Sequence, residues 1–251
     1  MKSTPGLALV VVGALAAWAG LRWVGTGPEI WSDWPPDGCL FANCYCEPIH
    51  AQFVRQTVAT ESNLGFLAVG LATAVGLFDG RDRRRWIASA FVLVTAFGST
   101  FYHASLTRLG DWADLMGTFG LVVLFGSLSA WRRWPTERVP IAAAAAVALA
   151  LGGVQMVVAP SLQQVMLGVL VVIAGWLEAR APAPRGSRIW LWAGLASFAI
   201  GGAVWLGSSA GLLPCWPDAP MTWHGLWHLL AAGGAGLLCR YHLPLSPGPA
   251  A

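Results

Sequence analysis

Seven long apolar runs follow one another along the chain, at about 57–79, 86–107, 111–131, 139–158, 161–179, 188–207 and 222–240. Each is close to the ~20 residues an α-helix needs to cross a bilayer. Apolar and polar residues do not alternate within them, which excludes barrel strands and leaves helices, the other structure that satisfies its own backbone in lipid. Several connections are only a few residues long, so those neighbours must run antiparallel. An eighth run, 6–25, lies behind Lys2. It reads as an anchor helix or, through Ala17-Trp18-Ala19 before Gly20, as a signal segment. The expectation is an all-α, polytopic membrane protein in four parts. These are an anchor or signal segment (1–25), an extracytoplasmic Cys-containing loop (26–55), a seven-helix domain (56–242) and a Pro-rich disordered tail (243–251).

Composition agrees with that pattern. Of the 251 residues 56% are hydrophobic and 11% charged, against roughly 25% charged in a soluble domain. The net charge of +3 does not indicate nucleic-acid binding, because topology places the basic residues. One side of the helices collects Lys2, Arg81, Arg83, Arg84, Arg85, Arg132, Arg133, Arg138, Arg180, Arg185, Arg188 and Arg240. The other collects only Arg22, Arg55 and Arg108, a division of 12 against 3. The crowded side is expected to be cytoplasmic. The loops 26–55, 108–110, 159–160 and 208–221 are then outside, in a bacterial inner membrane or an endomembrane.

That orientation brings several ionisable residues to one depth. His103 lies four residues from the outer end of its run, Asp114 about three residues into the next, and His224 and His228 in the first two turns of the last. At 1.5 Å per residue all four fall within roughly 3–10 Å of the outer ends. Ionisable groups inside a membrane are costly and read as functional. Three histidines are a common catalytic zinc set, with the fourth position left for water. His224 and His228 are four apart and share a helix face, as do Ser99 and His103. His103, His224 and His228 are therefore the expected zinc ligands, with Asp114 and Ser99 as catalytic groups. Asp111 is expected to be a helix N-cap, His50 and His242 to be solvated, and Glu178 to pair with an arginine. A serine-protease reading lacks a Gly-x-Ser-Gly nucleophile. A bis-histidine haem fails because His224 and His228 share one face.

Cys39, Cys44, Cys46 and Cys215 fall on the expected outer side, where disulfides form, and Cys239 at the inner end of the last run. A bond from Cys215 to one of Cys39, Cys44 or Cys46 would clamp the loop over the site. Cys44-Tyr45-Cys46 can also be read as a metal-binding pair.

Three blocks of residues resemble the alkaline ceramidase family, part of a wider group of seven-helix membrane hydrolases that includes the adiponectin-type receptors. They are Cys46-Glu47 with Ser62-Asn63-Leu64-Gly65-Phe66; Gly98-Ser99 with His103 and Asp114; and His224-Gly225-Leu226-Trp227-His228. The resemblance implies zinc on His103, His224 and His228, with Ser99 and Asp114 beside it. It also implies hydrolysis of the ceramide amide, or that of a related N-acylated lipid, to a sphingoid base and a fatty acid. The alternative is a seven-helix lipid-binding, receptor-like protein with a structural zinc. Where that family carries acids for calcium, this chain has Cys44 and Gln56 and keeps only Glu47, so no calcium site is expected.

Overall fold

The computed structural model describes residues 4–42, 44–77, 84–182 and 188–243. The described residues form helices joined by loops, with no strand among them. The order is α1 (Thr4–Gly25), α2 (Cys39–Ala42), α3 (Thr57–Ser62), α4 (Leu64–Ala74), α5 (Arg84–Ser105), α6 (Arg108–Arg133), α7 (Arg138–Val158), a 3₁₀ turn (Pro160–Leu162), α8 (Gln163–Arg180), α9 (Ile189–Ser209) and α10 (Trp223–His242). Four of these, α1, α5, α6 and α9, are long and apolar enough to cross a membrane.

The run expected at 57–79 is divided and shorter. Asn63 joins α3 to α4 with a helical backbone, and its side-chain amide donates to the Ala59 carbonyl. The helix then ends near Ala74, because Gly76 takes φ +74°. Gly76 N–H donates to Thr73 O, and Leu77 N–H to Ala72 O. This is the left-handed C-terminal cap that glycine favours.

The core is built where α4, α5, α6 and α10 meet, around Phe66, Val92, Leu124, Leu128, Ala235 and Leu238. Glycines let α5 and α6 lie unusually close. A Cβ on Gly98 would come within 2.5 Å of the Ala113 carbonyl oxygen, and one on Gly117 within 2.7 Å of Thr95 Cα. Helix α9 packs along α10, α7 and α8 along α6, and α1 against α4. Arg22 of α1 also pairs with Glu61 of α3 at 2.6 Å.

The end of the bundle remote from the histidine cluster is closed by polar groups. Arg132 binds Glu178 at 2.5 Å, and Ser129 and Tyr241 donate to the same carboxylate at 2.6 Å. His242 is part of this network and not solvated as expected. It is 3% exposed, takes a hydrogen bond from Arg132 and stacks on Phe125. Leu243, placed in the tail by sequence, is fully buried in the core. Residues 244–251, the rest of that tail, lie outside the described residues.

Candidate metal centre

The loop that carries the cysteines seals the end of α5. The last four carbonyls of a helix have no partner within it. Here Tyr102 O accepts from Leu106 N–H, His103 O from Gln56 N–H, Ala104 O from Arg55 N–H, and Ser105 O from the Arg55 guanidinium at 2.6 Å. Arg55 is itself paired with Glu29 at 2.8 Å. Asp37 N–H and Arg108 N–H bond to Leu106 O and Pro35 O, and hold the turn where Leu106 takes φ +46°. The helix that follows is capped by Thr107, whose hydroxyl accepts from Gly110 N–H. Asp111, the expected cap, lies in the first turn beyond it, because threonine in extended conformation comes first.

Against this fixed end the three histidines converge. His103, His224 and His228 are 0%, 5% and 4% exposed. Each offers a nitrogen, and the three lie within 4.8 Å of one another. His103 Nε2 and His224 Nε2 are 3.1 Å apart. Two nitrogens on one tetrahedral ion with bonds of about 2.05 Å stand about 3.3 Å apart, so this pair is spaced for a shared ion.

The neighbours of the rings set which nitrogen is free. His228 Nδ1 lies 3.1 Å from the Ala59 carbonyl and 2.8 Å from Ser62 Oγ, whose own proton goes to Ala59 O. Both partners accept, so Nδ1 carries the proton and Nε2 keeps its lone pair. His103 Nδ1 meets Gln56 Oε1 at 2.8 Å, with the same consequence. Fixing the outer nitrogen with an acceptor is the usual support of a metal-bound histidine. Neutral imidazoles suit first-row metals from iron to zinc. The residues present therefore fit a transition-metal ion.

Ser99 and Asp114 share the seam between α5 and α6. Ser99 is 2% exposed, one turn before His103, and its hydroxyl faces the Asp114 carboxyl without reaching hydrogen-bond geometry. The Gly98 contact sets their approach, since a Cβ there would also meet Asp114 N at 3.3 Å.

Several residues at the site were invisible as such in the sequence. Gln56 occupies the N-cap of α3 yet makes no capping bond, because its amide is turned to His103. Glu47 takes over, and its carboxylate accepts from Val58 N–H and, at 3.0 Å, from Ala59 N–H. Burial pushes this carboxyl above its ordinary range, while the two amides pull it down. Tyr45 stacks on His224, with ring centres 3.9 Å apart. Two disulfides flank it, Cys39–Cys44 and Cys46–Cys215. Both sulfurs of the Cys44-Tyr45-Cys46 pair are thereby occupied, while Cys239 is free and buried. His50 is exposed. No protein-family model matches the chain, and no curated protein matches it.

Proposed function

We propose that the chain is a zinc-dependent intramembrane amidase that hydrolyses ceramide or a related N-acylated lipid to a sphingoid base, or amine, and a fatty acid. The observation that carries this reading is the convergence of three buried histidines, two with their outer nitrogens held by acceptors, with an unpartnered serine one turn before His103. The likeness to alkaline ceramidases in the order and spacing of these residues adds to it. His103, His224 and His228 hold the ion. A zinc ion so held supplies an acidified water and a polarised carbonyl. Asp114 takes a proton from the attacking water and returns it to the leaving amine nitrogen. Ser99 donates its free O–H to the oxygen that gains charge as the amide carbon becomes tetrahedral. In this reading α3 with α4, and α5 to α10, are seven spans, and α1 is an additional anchor. The arginine division puts the site toward the non-cytoplasmic face.

The second reading, a lipid-binding receptor-like protein with a structural zinc, draws on how deeply the three rings are enclosed. One experiment separates the two: metal analysis of purified protein together with turnover of N-acyl lipids, in wild type and His224→Ala. Zinc and hydrolysis lost together support the amidase. Zinc bound without turnover of any N-acyl lipid supports the structural role, and full zinc occupancy in the variant contradicts the ligand assignment.

A further inference from the structure

Two of the three histidines have their outer nitrogens held by hydrogen bonds, and the third does not. His103 has Gln56, and His228 has Ser62 and the Ala59 carbonyl. His224 Nδ1 is buried with no hydrogen-bond partner among the described residues. A ring without such an acceptor is free to turn about its last torsion, and its nitrogen aims at the ion only part of the time. Metal-binding histidines normally avoid this with an outer acceptor.

Tyr45 lies where that acceptor is missing. Its ring stacks on His224 at 3.9 Å and 29°, and meets His103 edge-on at 5.2 Å and 71°. Its hydroxyl is committed elsewhere. It donates to Tyr102 Oη at 3.3 Å, and Tyr102 donates to Asp37 at 2.8 Å. What it presents to the histidines is an aromatic face.

That face is itself held on both sides. Cys44 is bonded to Cys39, and the amide of Cys39 donates to the same Asp37 oxygen that receives Tyr102. Cys46, at φ +52°, is bonded to Cys215 in the segment leading into α10. The second disulfide thus ties the backbone beside Tyr45 to the chain nine residues before His224, across 169 positions of sequence.

We infer that Tyr45 is a positioning residue of the metal centre: its stacked ring replaces the missing hydrogen bond and sets the plane of His224. This rests on the metal reading above and adds to it a residue that touches no metal and no substrate. The test uses the full chain in detergent, loaded with zinc or cobalt, as wild type, Tyr45→Phe and Tyr45→Leu. Leucine keeps apolar bulk in the loop and removes the flat face. Zinc affinity is read by chelator competition, and the ligand field by the cobalt absorption bands. Tyr45→Phe should match wild type in both. Tyr45→Leu should bind about 10- to 100-fold more weakly, the scale of losses on removing an outer support, with shifted or weakened cobalt bands. If Tyr45→Leu gives wild-type affinity and bands, the inference is overturned and the metal centre stands. If wild type takes up neither ion, both are overturned.

Discussion

Replacing Gly98 with alanine tests whether the close approach of α5 and α6 shapes the site. The new Cβ would stand 2.5 Å from the Ala113 carbonyl oxygen and 2.9 Å from its carbon. Carbon–oxygen contacts settle at about 3.3 Å, so the helices must part locally by about 0.8 Å. Both atoms met are backbone and cannot rotate aside. Gly202→Ala is the control, because nothing lies within 4 Å of its Cβ. Both changes gain about 1 kcal/mol of helix propensity, so their difference isolates the clash. Overpacking costs about 1–3 kcal/mol, and Gly98→Ala should be less stable than Gly202→Ala by that amount. A displacement near 1 Å also separates Ser99 from Asp114, and misplacement on this scale costs about 100-fold in rate. Zinc content should hold, because Gln56 and Arg55 anchor the His103 end of α5 independently. The assays are unfolding in detergent, hydrolysis of an N-acyl lipid, and metal analysis. Equal stability of the two variants, or undiminished turnover in Gly98→Ala, would refute the reasoning.

Metal removal should destabilise the chain. Returning zinc at about 100-fold its Kd should restore about 2.7 kcal/mol, with no such response in His224→Ala; an equal shift in both proteins sinks the ligand assignment. Gln56→Leu keeps the packing and removes the acceptor at His103 Nδ1, so zinc should bind about 10- to 100-fold more weakly. Unchanged affinity would remove Gln56 from the centre. Burial raises the Glu47 carboxyl above its unfolded value, which is about 4.3. The folded state therefore keeps that proton longer, and its share of stability is full below the unfolded value and drains as pH rises through the folded one. Glu47→Gln should lose that part of the slope, so a variant with the wild-type pH profile of unfolding contradicts the assignment.

The helical segments were legible because apolar runs of spanning length have few alternatives, and the shared depth of His103, His224 and His228 followed from counting residues along them. What the pattern missed lies at ends and between elements. The first run stops at Gly76 because left-handed capping overrides an apolar continuation. His242 looked like a tail residue, yet Arg132 and Phe125, more than a hundred positions away, enclose it. Thr107 caps α6 where Asp111 looked the better candidate, a one-turn shift that side-chain type alone does not decide. Gln56 and Tyr45 belong to a loop whose path is set by two disulfides and the carbonyls of α5, and no periodicity records such a path. The cysteine count left open which of Cys39, Cys44 and Cys46 meets Cys215; the chain joins Cys46 to it and Cys39 to Cys44.

The loop is what turns matched depth into a site. Helices alone place three imidazoles at one level, but their orientation comes from outside the helices that bear them. Gln56 acts on His103, the Ala59–Ser62 turn on His228, and Tyr45 on His224. All three supports descend from the segment 45–62, and Glu47 ties its two halves together by bonding Val58 and Ala59. The chemistry of this segment also bears on orientation. Two disulfides persist on an oxidising side of a membrane and not in a reducing cytosol, and the remaining cysteine, Cys239, stays free at the opposite end of α10. On the proposed topology the basic residues divide the same way, 12 against 3, Lys2, Arg81, Arg83 and Arg185 of that count lying outside the described residues. Sulfur chemistry and charge are independent of each other and of the histidines, and both support the proposed non-cytoplasmic placement of the loop.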